Sequence, residues 1–370
     1  MKNEKYSSFK RVDFFAWRPI SNATARCRGS LYQKPLEEKG WCLRFLPPAR
    51  DYIYQKLNAF KGPLKYPGKI LLFWIALLVR LAQIFSAKNA DVVIIQRELF
   101  PVGPPLLERI LKIVNPRILY DFDDVLDAHP PYGGVSYSDG YKKDKFASII
   151  SLANYLLPST EYLASKCSGA GLPITVLPTP VDIDKFDSVA QVRTDAAPAV
   201  GWVGTGGNQC YLEAVVPALR KIQTQYDCPF VVVSEYDFCV PELNVTNFRW
   251  TLTEEASIMQ KFHIGIMPLD DSDYARGKAG YKILQYWAAG LPVVASPVGF
   301  NAVLVEHGRD GFLAETEEEW VRYLTLLLQS PSLRAELGAA GHQKVKDNFS
   351  PDALVATLAR GLDAVALRRA

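Results

Sequence analysis

Residues 264–314 read IGIMPLDDSDYARGKAGYKILQYWAAGLPVVASPVGFNAVLVEHGRDGFLA. A short apolar run, Ile264 to Pro268, leads into a charged loop that holds Arg276, Gly277, Lys278 and Gly280. A helical stretch from about Tyr281 to Ala289 follows, with Gly290 as its stop, then Pro292 and a second β-type run from Val293 to Ser296. The pattern is strand, glycine-bearing loop, helix N-terminus, strand. Such a loop turns backbone N–H groups and the positive end of a helix dipole toward an anion, and glycine lets that backbone come close. Phosphate is the natural ligand of this geometry.

Working outward, strand-like runs alternate with helical segments. VDFFAW (12–17), WCLRFL (41–46), DVVIIQ (91–96), RILYDF (117–122), YLLPS (155–159) and ITVLP (174–178) form one series. Residues 187–198 have linker composition, and a second series follows: AVGWVG (199–204), PFVVVS (229–234), FRWTL (248–252), IGIMP and PVVAS. This alternation predicts two α/β domains, each a doubly wound parallel sheet. Near Ser350–Pro351 a capped amphipathic helix begins.

Several segments carry a family resemblance in the right order: LANYLLPSTEYLASKC at 152–167, LPTPVDIDKF at 177–186, AVGWVGTGGNQCYLEAVVPALRKI at 199–222, and AAGLPVVASPVGFNAVLVEHGRDGFLA at 288–314. Together they resemble GT-B glycosyltransferases of the retaining family 4 type, over roughly residues 90 to 350. The resemblance implies two Rossmann-like domains facing a central cleft. It implies an acceptor-binding domain at 1–190, a nucleotide-sugar-binding domain at 199–348, and a terminal helix at 349–370 that crosses back to the first domain.

Composition is that of a globular chain: 370 residues, 49% hydrophobic and 22% charged. The six cysteines are scattered without a CxxC pair and only four histidines are present, which argues for reduced thiols and against a structural zinc site. The start, MKNEKYSSFKRVDFF, has no apolar leader pattern and reads as cytoplasmic. Charge is uneven. Residues 1–90 hold 17 Lys and Arg against 5 Asp and Glu, a net +12 that leaves −9 for the rest of the chain. A cationic block of this kind suits an anionic acceptor or the inner face of the cytoplasmic membrane. Beside it lies ILLFWIALLV (70–79), too short to span a bilayer, for which a mostly buried helix is expected ahead of an interfacial one.

Candidate chemistry concentrates at the loops. In the resembling family a Glu-x7-Glu pair serves the donor, and alignment on AAGLP puts its members at Gly277 and Gln285, so both carboxylates are missing here. Gln285 keeps an amide for a ribose hydroxyl. The same loop supplies Arg276, Lys278 and Lys282, cations able to stabilise a departing diphosphate. Gly204, Thr205, Gly206 and Gly207 form a second phosphate-side loop, which Gly277, Gly280 and Tyr281 complete. At the end of the RILYDF strand, Asp123 and Asp124 could orient or deprotonate an acceptor hydroxyl, cap the next helix or bind a cation. Arg26 and Arg28 could meet an anionic acceptor or form an interdomain salt bridge. Glu161 and Asp182 follow the family pattern and read equally well as structural.

The implied function is transfer of a sugar from a nucleotide diphosphate sugar to a hydroxyl of a glycan or lipid-linked glycan, in bacterial-type surface polysaccharide synthesis. Retention, no metal, no further cofactor and no nucleic-acid partner are expected. Two alternatives remain at this level: a GT-B nucleotide-sugar isomerase or hydrolase, against which the basic first 90 residues speak, and a catalytically silent binding partner, suggested by the missing glutamates.

Overall fold

Runs such as VVIIQ and FVVVS are apolar without alternation, which suits strands covered on both faces of a parallel sheet. The computed structural model describes residues 9–58, 65–101, 103–126, 139–189 and 197–367. They fall into two compact units, one of residues 9–126, 139–180 and 351–367 and the other of residues 181–350.

The first unit contains β1 (Lys10–Phe15), α1 (Ala23–Arg28), α2 (Gln33–Glu38), β2 (Trp41–Leu46), α3 (Asp51–Asn58), α4 (Lys65–Ser86), β3 (Val92–Gln96), α5 (Leu106–Val114), β4 (Ile118–Phe122), α6 (Asp139–Leu152), β5 (Tyr155–Pro158) and α7 (Glu161–Ser165). Its sheet has the order β2-β1-β3-β4-β5, every pair parallel. The ITVLP run expected as a sixth strand is bridged to β5 at Leu156 and Ile174, with Thr175 N and Leu177 N donating to the Leu156 and Pro158 carbonyls, but does not extend into a regular strand. Pro158 in β5 and Pro173 just before the run lack the N–H groups that would complete the ladder.

The second unit contains α8 (Ile183–Asp187), β6 (Val200–Val203), α9 (Val216–Gln223), β7 (Phe230–Ser234), β8 (Val245–Arg249), α10 (Glu255–Met259), β9 (Ile264–Met267), α11 (Asp273–Arg276), α12 (Tyr281–Ala288), β10 (Val293–Ala295), α13 (Asn301–Leu304), β11 (Gly311–Leu313), α14 (Glu317–Gln329) and α15 (Pro331–Asn348). Its parallel sheet runs β11-β10-β9-β6-β7-β8. One face is covered by α12 and α15 and the other by α9 and α14, each with its own apolar core. The last strand in the β7–β8 direction starts three residues before the expected FRWTL run, because pairing of Phe230 with Val245 sets its register. The unit begins at Val181, earlier than the linker composition indicates: Val181, Ile183 and Phe186 are buried in the core that α12 helps build.

Helix α16 (Pro351–Ala366) belongs to the first unit. Leu354, Val355, Leu358, Leu362 and Val365 recur at helical spacing and are buried with Val12, Phe14, Leu36 and Leu119. Each such side chain contributes on the order of 1.5–3 kcal/mol by leaving water, so the helix is part of that core.

Helix α4 corrects the expectation of a buried helix. It is 22 residues long, and Tyr66, Ile70, Leu71, Phe73, Trp74 and Leu78 are exposed, from 37% at Phe73 to 71% at Tyr66. Residues Tyr66–Asn89 are long and apolar enough to cross a membrane. Arg80 ties the helix down instead. Its buried guanidinium donates to the carbonyls of Leu46 and Leu99 at 2.8 and 3.0 Å, and to that of Ala16.

Candidate active site

Ligands of an open parallel sheet settle beyond the carboxyl ends of its strands, where the winding reverses. In the second unit that point lies between β6 and β9, since the chain proceeds from β6 to β7 and β8 and then resumes on the other side. The loops at 204–208, 268–280 and 296–300 follow β6, β9 and β10 there. Two glycines shape them. Gly280, at φ +64°, opens α12. Gly299, at φ +53°, lets the β10 loop lie against the backbone of Arg276, where a Cβ would come within 2.3 Å of the Arg276 carbonyl oxygen.

Two ammonium groups converge on the β6 loop from the other side of the reversal point. Lys278 Nζ donates to Asn208 Oδ1 at 3.0 Å and lies 4.6 Å from the Tyr274 ring centre and 5.5 Å from that of Tyr211. Lys282, the second residue of α12, holds its Nζ 5.6 Å from the Trp202 ring, and a Cβ on Gly204 would come within 2.8 Å of its Cε. The glycine loop already binds an anionic group: Gly206 N donates to Glu235 Oε2 at 2.7 Å. Thr205 Oγ1 accepts from Asn208 Nδ2 at 2.7 Å, which presents Asn208 to Lys278. Arg276 turns instead onto Asp271, with two bonds of 2.6 Å on the surface.

In the first unit the reversal lies between β1 and β3. Trp17 and Arg18 follow β1, Arg97 follows β3, and Asp123 and Asp124 follow β4. Arg97 has φ +57°, a left-handed conformation unusual outside glycine and frequent at functional sites. Its guanidinium donates to Asp123 Oδ1 at 2.8 Å and to Asp124 Oδ2 at 2.9 Å, so the two carboxylates are held as an ion-paired group.

Residues 197–330 match the family described as Glycosyl transferases group 1. This segment is a glycosyl transferases group 1 domain. No curated protein sequence matches the chain. Among solved structures, the chain is similar to sucrose-phosphate synthase from Thermosynechococcus elongatus, at 15% identity over 96% of this chain and 99% of that one, with a TM-score of 0.67. It is similar also to a glycosyltransferase from Rickettsia africae, at 14% identity over 98% and 100% of the two chains and a TM-score of 0.68. HepE of Anabaena, in complex with UDP and glucose, matches at 13% identity over 96% and 100%, with a TM-score of 0.66. The fold is GT-B, and the domain is that of a glycosyltransferase.

The transferase domain fills the position of the second missing glutamate in its own way. Gln285 is 4% exposed and its Nε2 donates to Glu255 Oε1 at 2.8 Å. A carboxylate can only accept, so the amide nitrogen must face Glu255 and the carbonyl oxygen is turned away from it. Glu255, itself buried, also receives Lys185 Nζ at 2.5 Å and Trp250 Nε1 at 3.3 Å. Gly277 is the C-cap of α11 with an ordinary φ of −82°, so it is not required as a glycine by backbone conformation. Tyr281 is the first residue of α12.

The acceptor assignment of Arg28 is corrected. Its side chain is buried and donates to Asp121 through Nε at 2.9 Å and Nη2 at 2.5 Å, to the Leu177 carbonyl at 2.8 Å and to the Leu157 carbonyl at 3.2 Å. Burial works against the charge, yet the neighbouring Asp121 carboxylate outweighs it and the Arg28 pKa is raised. Arg28 is a strut that joins β4, β5 and the segment after them. Arg26 donates to the carbonyls of Ile20 and Ser21, at 3.3 and 3.4 Å, and holds that turn. Sequence reasoning passed over Trp17, Arg18, Arg97 and Glu255; their only signal was position, just past a strand or before the IGIMP strand.

Proposed function

We propose that the protein transfers a sugar from a nucleotide diphosphate donor, held by the transferase domain, to a hydroxyl of a glycan or lipid-linked glycan carried by the first unit, with retention and without a metal ion. The observation that carries this reading is the convergence of Lys278 and Lys282 on the β6 loop. As the bond from the sugar to the diphosphate breaks, negative charge grows on the leaving phosphate. Two fixed ammonium groups at that point stabilise it more than they stabilise the intact donor, which is what lowers a barrier. Gln285 offers its carbonyl oxygen to a ribose hydroxyl in place of a carboxylate. HepE, a structural neighbour, binds UDP, so UDP is the first nucleotide to test.

Helix α4 supports action at a bilayer with anionic lipids, in the synthesis of surface polysaccharide. Its exposed aromatic and aliphatic side chains would enter the acyl boundary while Lys69, exposed on the same helix, meets headgroups. Arg80, bonded within the unit, favours a helix that lies on the membrane over one that crosses it.

The test is a thermal-shift screen of nucleoside diphosphates followed by kinetics of Lys278→Ala. UDP or another diphosphate is expected to raise Tm. Lys278→Ala is expected to lower kcat/KM by on the order of 2–4 kcal/mol in barrier while leaving Tm without ligand close to that of the wild type. No shift with any nucleoside diphosphate at millimolar concentration overturns the donor site.

A further inference from the structure

We propose that the carboxyl end of the first unit's sheet holds an oxyanion subsite built on Arg18 and Trp17, and that it takes a phosphate ester of the acceptor. The inference rests on the reading of the first unit as the acceptor unit. Its place is the winding reversal between β1 and β3, where an open parallel sheet receives its ligand.

The Trp17 ring carries two guanidinium groups, Arg18 at 4.4 Å from its centre and Arg97 at 4.5 Å. Arg97 is matched by Asp123 and Asp124. Among the described residues Arg18 forms no ion pair, and its guanidinium donates to the Tyr54 hydroxyl. Two like charges share one indole, and among the described residues only Arg97 is ion-paired, an arrangement that a bound anion would stabilise. Burial lowers the Arg18 pKa, the nearby Arg97 lowers it further, and the Glu98 carboxylate offsets this only in part. A second donor is in the same state: Trp17 Nε1 is buried and meets no acceptor among the described residues.

The planar fork of arginine fits two oxygens of a phosphate. Tyr54, which orients it, belongs to α3, and α3 packs on α4. A phosphate bound here would therefore lie beside the helix with the exposed apolar residues, as the phosphate of a lipid-linked acceptor would. A soluble phosphate ester has the same chemistry, so the two sources need separate arms of one experiment.

The experiment compares wild type, Arg18→Lys and Arg18→Gln, each saturated with UDP so that the donor site is occupied. Inorganic phosphate is added against chloride at equal ionic strength. Phosphate at about ten times its Kd is expected to raise the wild-type Tm by roughly 3–5 °C, Arg18→Lys by less and Arg18→Gln not at all. Persistence of the UDP shift in all three shows the fold and the donor site intact; loss of the UDP shift in the wild type breaks the functional reading by itself. In the second arm, binding to phosphatidic acid vesicles in phosphatidylcholine is measured. A threefold or larger weakening in Arg18→Gln assigns the site to lipid phosphate, and unchanged binding alongside a lost phosphate shift assigns it to a soluble ester. An equal phosphate shift in wild type and Arg18→Gln, or none in the wild type, overturns the subsite and leaves Arg18 as a cation stacked on Trp17.

Discussion

Restoring a glutamate at position 285 should damage this protein. Gln285 and Glu255 are each 4% exposed and 2.8 Å apart. In Gln285→Glu two carboxyl groups would face each other out of water. If both stayed ionised, their repulsion at an effective dielectric of about 20 would be about 6 kcal/mol. Keeping one protonated at pH 7, against an unfolded pKa near 4.3, costs about 4 kcal/mol and restores a hydrogen bond between them. Protonation is the cheaper route. Lys185, already on Glu255 Oε2, reduces the penalty further, so a loss of about 2–4 kcal/mol is expected at pH 7. The folded variant would hold a proton that the unfolded chain releases above pH 4.3, so its deficit grows as pH rises through that value and nearly vanishes at pH 4. Chemical denaturation of wild type, Gln285→Glu and Glu255→Gln/Gln285→Glu between pH 4 and 7.5 measures it. The double variant recovers much of the loss, because an amide again faces a carboxylate. A Gln285→Glu profile parallel to the wild type over the whole range would refute the reasoning.

Three further outcomes are expected. Arg28→Leu leaves Asp121 buried without its cation and should cost about 3–5 kcal/mol in unfolding free energy; near-wild-type stability with lost acceptor binding would restore the rejected role. Trp74→Ser with Leu78→Ser should release the protein from anionic vesicles at low salt with no change in UDP binding, as both side chains are exposed; retained vesicle binding removes α4 from the membrane face. Burial pushes the Cys228 thiol up to about 11, so it stays protonated and unreactive through pH 9, while exposed Cys239 is alkylated first in the native protein. Mass mapping of the alkylated peptides decides that order.

The sequence by itself determined what depends on neighbours along the chain. Apolar runs unbroken by proline became parallel strands. The glycine-bearing loops at 204–208 and 276–280 lie on the carboxyl side of β6 and β9 because a loop that follows a strand leaves from that end, and parallel pairing puts those ends together. The GT-B architecture was legible from those local signals together. Tertiary structure decided every role that needs a distant partner. Arg28 was open to an anionic acceptor or a salt bridge until the fold placed Asp121, 93 residues away, against it. Lys278 reaches Asn208 across 70 residues, and Gln285 meets Glu255 across 30. Helix α4 has the composition of a buried helix, and only the incomplete packing around it among the described residues leaves its apolar side chains exposed. A side chain's type states which bonds it can make. Which bonds form is settled by the groups that folding brings within 3 Å, and for charged groups in a low-dielectric interior that proximity outweighs any local preference.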